Sequence, residues 1–299
     1  MRVLITGCHG FVGSSVGLCA ARAGHGVMGV GLSAQPPTGW PGAYRQMDVA
    51  FSDLAAPVRD FQPDMVLHAA GSASVGGSYQ APVDDLRAAV MTWANTLDGV
   101  RRSGLAPLVV FPSSAAVYGN PDTLPVREDA PISPISPYGF HKAAGELVAR
   151  EYAACFGLNV VVARLFSVYG PRQRRLLLWE LYERAVGPEA EVVLHGTGGE
   201  SRDYLHVDDL AGVLLELGAV RPAGLTMVNV ASGRETRTID LARMVVAAVG
   251  CAKPVRPLGQ AQTGNPVNWR ADVSALNSLV PVAVRPLEEG IGACVRAWR

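Results

Sequence analysis

Over the first 170 positions, apolar residues fall into short unbroken runs, separated by longer stretches in which they recur every three or four residues. A short run bounded by glycine or proline fits a strand buried on both faces, and the wider spacing fits a helix with one apolar stripe. Residues 2–6, 26–30, 65–69, 108–112 and 159–165 therefore read as strands, with helices such as 11–23 and 84–103 between them and another over 138–156. Strict alternation of this kind implies right-handed βαβ crossovers, hence an α/β fold with a doubly wound parallel sheet and helices on both faces. Ligands of such sheets bind at the carboxyl ends of the strands. The proline-rich stretch 120–137 reads as a loop, in which Pro137 biases Ser136 away from helical geometry and delivers Tyr138 into its helix. Beyond about Gly170 the alternation dissolves into isolated strands at 191–194 and 226–230 and helices at 239–249 and 287–298.

Composition narrows the picture. At 299 residues the chain is long enough for one large domain and a smaller companion, since single cores rarely grow beyond about 250–300 residues. Lys plus Arg and Asp plus Glu number 26 each, so no global field recruits nucleic acid or an anionic membrane, and a small ligand is the expected partner. The five cysteines, at 8, 19, 155, 251 and 294, show no metal-ligand spacing; they read as reduced thiols of a cytoplasmic protein, with no metal expected. No apolar run reaches the roughly 18 residues of a membrane span, and the first residues enter a strand pattern without a signal-peptide layout.

Two fragments carry chemistry. Val3-Leu-Ile-Thr-Gly7-Cys-His-Gly10-Phe11-Val12-Gly13 is an apolar strand that breaks into glycines and starts a helix, which brings backbone against a pyrophosphate at a helix N-terminus. Ser136-Pro-Tyr138-Gly-Phe-His-Lys142 puts a phenol and an ammonium four residues apart, on one helical face, where the cation favours the phenolate and lowers a pKa normally near 10.

With Ser113 and Ser114 between them, these fragments resemble the extended short-chain dehydrogenase/reductase family, in particular its NAD(P)-dependent nucleotide-sugar epimerase and dehydratase group. The resemblance implies a dinucleotide-binding Rossmann domain over residues 1–170 and a substrate-binding lobe over 171–299, with segments crossing back to the first. It assigns Ser114, Tyr138 and Lys142 to catalysis. The cofactor would be held by Gly7, Gly10, Phe11, Val12, Gly13, Ser33, Asp48, Val49, Ala69, Ala70 and Lys142. Ser74, Ser167, Arg174, Arg202 and Asn268 would meet a nucleotide-diphosphate sugar, Arg202 on its diphosphate.

Departures from the family pattern shape the functional expectation. Gly31 stands where NAD-dependent relatives carry an acidic residue for the ribose 2′-OH, and Arg22 and Arg45 are the nearer cations for a 2′-phosphate, so NAD and NADP both stay open. Ala115 and Ala116 stand where dehydratases place an Asp-Glu pair, which sets the dehydratase and decarboxylase readings behind. Ala89 takes the place of a helix-borne asparagine, and Gly264-Asn265 replaces a frequent Gly-Asp. What remains is a 4-epimerase working by reversible hydride transfer through a 4-keto intermediate. The alternatives are an NADPH-dependent 4-keto-sugar reductase and a non-catalytic dinucleotide sensor. Relatives often pair through two long helices, here 84–103 and 138–156, so a homodimer is expected.

Overall fold

The computed structural model describes residues 1–259 and 266–299. The Gly264-Asn265 substitution noted above lies outside the described residues. Along the chain run β1 (Arg2–Thr6), α1 (Phe11–Arg22), β2 (Gly26–Gly31), β3 (Ala43–Gln46), α2 (Ala55–Phe61) and β4 (Met65–His68). Then follow α3 (Val75–Gln80), α4 (Pro82–Leu86), a π turn at Arg87–Met91, α5 (Thr92–Ser103), β5 (Leu108–Ser114), α6 (Pro137–Phe156) and β6 (Val160–Leu165). The remainder comprises β7 (Ser167–Tyr169), α7 (Leu176–Val186), β8 (Val192–Leu194), β9 (Ser201–His206), α8 (Val207–Val220), β10 (Leu225–Val230), β11 (Glu235–Arg237), α9 (Thr238–Val249), β12 (Val255–Pro257), α10 (Ser274–Leu279) and α11 (Leu287–Trp298).

Seven parallel strands form the main sheet in the order β10-β6-β5-β4-β1-β2-β3. This is the expected Rossmann arrangement, and the strand order reverses between β1 and β4. The unbroken apolar runs have a two-sided burial as their cause. Val3 and Ile5 face one core with α1 and α8, Leu4 faces another with α5 and α6, and Leu108 and Val110 part from Val109 and Phe111 in the same way. A third cluster binds α7, α9 and α11 beside two small sheets, β11-β9-β7 and β12-β8.

Two elements differ from the sequence pattern. The edge strand β3 reads Ala-Tyr-Arg-Gln and is largely exposed, so it offers no apolar run to find. The expected helix over 84–103 is instead α4, a π turn and α5, because the Thr92 hydroxyl donates to the Ala88 carbonyl and competes with the regular ladder.

Candidate active site

At the end of β1 the chain turns on Gly7, at φ +67°, a left-handed conformation that glycine adopts without strain. A Cβ on Gly7 would lie 2.5 Å from the backbone of Ala69 and Ala70, and one on Gly13 would lie 2.5 Å from the Gly7 carbonyl oxygen. The bare backbones let the β1 turn, the turn after β4 and α1 touch. Gly10 is the N-cap of α1 and offers no capping side chain; the first intrahelical bond runs from Ser14 N to Gly10 O. The N–H groups of Phe11, Val12 and Gly13 are thus left for a ligand at the positive end of the helix, an arrangement that fits a pyrophosphate.

Beside this turn opens a cavity of about 620 Å³ lined by Gly7, Gly31, Ser33, Asp48, Val49 and Ala70, with His9 and Arg87 on its wall. Its size, its glycine floor and the free helix N-terminus fit a dinucleotide. Asn95 fixes one side by donating to the Val49 and Ser52 carbonyls at 2.6 and 3.0 Å. Gly31 is closely covered: a Cβ there would lie 2.7 Å from His9 Nδ1 and 3.3 Å from the Tyr44 hydroxyl. Neither Arg22 nor Arg45 lines this cavity, and Arg45 is drawn to Asp60 at 3.4 Å.

The chemical groups gather at the end of β5. Ser114 closes that strand, and its hydroxyl accepts from Ala116 N at 3.2 Å. Pro137 opens α6, Ser136 caps it by accepting from Gly139 N at 3.2 Å, and the Tyr138 N–H donates to the Ser78 hydroxyl at 3.0 Å. Lys142 follows one turn later, buried, with Nζ donating to the Pro112 carbonyl at 2.8 Å and lying 5.7 Å from the Tyr138 ring centre. Burial pushes the Lys142 pKa down to about 8, against the fields of Asp85 and Glu146.

The Tyr138 hydroxyl is shifted upward by burial; a hydrogen bond with Ser114 opposes the shift, Asp85 adds to it and Arg175 opposes it. This corrects the expectation that the lysine depresses the tyrosine pKa. Desolvation decides the direction, and burial also disfavours the charged form of the neighbouring lysine.

Behind the site, Glu146 accepts from Arg164 Nη2 at 2.7 Å and from the Ser113 hydroxyl at 2.6 Å, and Arg164 donates to the Tyr118 hydroxyl at 2.8 Å. Ser113 and Tyr118 are thus packing and bracing residues. Ala115 and Ala116 are buried, so no carboxylate follows Ser114.

A second cavity, of about 540 Å³, is lined by Ser167, Gln173, Arg184, His195, Arg202 and Tyr204 among others. Arg202 stacks 5.3 Å from the Trp269 ring centre and donates to the Ser201 and Val267 carbonyls. The structure does not bring the other expected contacts to this wall. Arg174 stacks on Trp179 at 5.2 Å, Asn268 accepts from the Ser201 hydroxyl at 3.0 Å, and Ser74 caps α3 by accepting from Gly77 N at 3.0 Å. Each is held by another partner that the motif spacing does not reveal.

Sequence reasoning missed Arg184 and His195, which carry no motif, and a buried pair, Asp85 and His141, with Oδ2 and Nδ1 2.5 Å apart. A signal for Asp85 existed. It sits four residues before Ala89 on the stripe that continues through Thr92, Trp93 and Thr96, all buried.

The model of the "NAD dependent epimerase/dehydratase family" matches residues 3–231. The UDP-glucose 4-epimerase of Mycolicibacterium smegmatis is 30% identical over 261 residues, covering 84% of this chain and 83% of that protein. That of Azospirillum brasilense is 31% identical over 328 aligned positions, covering 97% and 94%. Among solved structures, MoeE5 in complex with UDP-glucose and NAD superposes with a TM-score of 0.89 at 27% identity, covering 100% of this chain and 98% of that one.

Proposed function

The chain belongs to the NAD dependent epimerase/dehydratase family, and from that premise we propose that it is an NAD-dependent nucleotide-diphosphate-sugar 4-epimerase. One observation carries the reading beyond the family: Ser114, Tyr138 and Lys142 converge at the strand ends while alanines follow Ser114, which equips the site for proton transfer at one carbinol and leaves out the carboxylate that dehydration needs. NAD supplies a hydride acceptor that can return the hydride to the other face of the sugar. Gly7, the α1 N-terminus, Ser33, Asp48, Val49, Ala69 and Ala70 would hold it.

Tyr138 takes the proton of the 4-hydroxyl and gives it back. Ser114 hydrogen-bonds the reacting oxygen and Tyr138 together, and the Lys142 ammonium favours the moment at which Tyr138 lacks its proton. Arg202, with Ser167 beside it on the second cavity, meets the substrate diphosphate.

We read residues 1–170 as the cofactor lobe and 171–299 as the substrate lobe. The exposed Phe140 and Leu147 of α6 and Met91 before α5 support pairing of two copies through these helices. Five unpaired cysteines support a reducing, cytoplasmic setting.

The reductase reading rests on Gly31, which leaves no carboxylate to repel a 2′-phosphate. The deciding experiment is mass spectrometry of the purified protein, followed by incubation with UDP-glucose without added cofactor. Bound NAD and appearance of UDP-galactose are expected. Protein free of NAD that turns over a 4-keto sugar with NADPH overturns the epimerase.

A further inference from the structure

Beside Tyr138 and Lys142 lies a charge that the reaction scheme above does not use. Asp85, on α4, is buried, its side chain 3% exposed, and His141 of α6 lies against it at 13%. Oδ2 faces His141 Nδ1 at 2.5 Å, so the imidazole donates through Nδ1. Oδ1 is buried with no hydrogen-bond partner among the described residues. A buried carboxylate oxygen left without a partner is costly to desolvate, which points to a use.

The charged and titratable groups around Lys142 are few. The field of Asp85 reaches it from α4 beside His141; Tyr138, His141 and Glu146 share α6, and His68 lies across on β4, its own pKa pushed down by burial to about 3 with Lys142 adding to the shift. Arg164 of β6 reaches the group only through Glu146. The two anions are not equivalent. Glu146 is clamped by Arg164 at 3.0 and 2.7 Å and accepts from Ser113, so a guanidinium already balances it. Asp85 has only an imidazole on one oxygen.

We propose that Asp85 is a positioning residue of this site, oriented by His141, and that its carboxylate is the counter-charge that keeps the buried Lys142 ammonium protonated beside Tyr138. The same carboxylate disfavours an isolated Tyr138 phenolate, so it biases the proton toward Tyr138 between the two transfers. Asp85 is the larger of the two fields that oppose the downward shift of Lys142, and it acts upward on Tyr138 as well.

The sequence offers a direct test, because it contains two lysines, Lys142 and Lys253. With ¹³C at the lysine ε-carbon, NMR titration of the whole protein yields two curves, assigned with Lys253→Arg. In the native protein Lys142 is expected to titrate near 8. Asp85→Asn, which keeps the shape and an acceptor for His141, should lower that midpoint by on the order of 0.5–1 pH unit, the size of a charge removed at a distance of several ångström in a partly screened interior. His141→Gln, which keeps the Asp85 charge, should shift it less than half as far, and Lys253 should not move. An unchanged Lys142 midpoint in folded Asp85→Asn overturns the proposal; if that variant does not fold, Asp85→Ser carries the same expectation and the same refutation.

The catalytic part rests on the epimerase reading, and the arms separate the two. In an active enzyme both limbs of the pH profile of kcat should move to lower pH in Asp85→Asn and return in Asp85→Glu. A shifted lysine midpoint in a protein that does not interconvert UDP-sugars leaves the counter-charge standing and removes the epimerase. A shifted midpoint with unmoved limbs in an active enzyme removes the catalytic role of Asp85.

Discussion

The turn after β1 and the start of α6 both lie at the carboxyl ends of the parallel strands, yet the first is shaped by close backbone approach and the second is distinguished by buried charge. Around Gly7 and Gly13 the chain approaches itself so closely that a single methyl would collide with main-chain atoms. The start of α6 is close-packed too, with a Cβ on Gly139 lying 2.6 Å from the Ala116 carbonyl oxygen, but its contents are ionisable: Lys142, His141 and Glu146 of α6 with Asp85 of α4. The first region should therefore respond to volume alone, and the second to charge at its ionisable groups as well.

The sharpest way to break the comparison is Tyr138→Phe, which removes an oxygen and almost no volume. A loss of about 10²–10⁴ in turnover is expected, as for other general acid–base residues, with melting temperature and NAD content unchanged. Steady-state kinetics beside calorimetry checks it, and a large drop in stability would move Tyr138 to the volume-sensitive class.

Next in size is Gly7→Ala. Its Cβ would meet Ala69 and Ala70 at 2.5 Å in a left-handed backbone, and a loss of about 2–4 kcal/mol is expected from overpacking and strain together. Denaturant unfolding reads the loss, and cofactor should no longer copurify.

Arg202→Ala extends the charge rule to the wall of the second cavity. The loss of charge-assisted hydrogen bonds should weaken UDP-sugar binding by about 1.5–3 kcal/mol and leave NAD affinity in place. Separate titrations of the two ligands decide it.

His68 gives the pH dependence. Burial holds its pKa down at about 3, against 6.5 for an ordinary histidine. Below pH 6.5 the unfolded chain binds a proton that the folded one refuses, so the stabilisation is complete above 6.5 and is lost as pH falls toward 3. The slope is about 1.4 kcal/mol per pH unit. His68→Asn should flatten urea-derived stability between pH 6 and 4.

The smallest effect is expected at Gly31→Asp. A carboxylate there could accept from a ribose 2′-OH, but its Cβ must displace His9 Nδ1 from 2.7 Å. His9 is exposed and can yield, so the gain in NAD affinity should stay below about tenfold, under the 1.5–3 kcal/mol of an unhindered charged bond.

The same contrast decides what could be read from sequence. The βαβ alternation, the glycine turn and the Tyr138–Lys142 spacing are local, and local periodicity carries them. The sign of the Tyr138 shift was not legible, because it depends on desolvation by distant elements. Nor was the partnering of Asn268 with Ser201, 67 residues away, while the nearer partners of Ser74 and Arg174, Gly77 and Trp179, carry no motif. Asp85 could have been found as a carboxylate on an apolar stripe; its partner, 56 residues away, could not.

The six-residue pairing of β10 with β6 has a consequence for how the chain is made. A polypeptide halted near residue 170 would present Val-Val-Val-Ala-Arg-Leu as a bare sheet edge, and the inner face of α1 would lack α8. On the ribosome the first 170 residues must therefore wait for some sixty further residues before the main sheet closes, long enough at ordinary synthesis rates for a chaperone to matter. The main sheet is completed only by the later part of the chain, and an expressed fragment 1–170 should collect in inclusion bodies where the whole chain stays in solution.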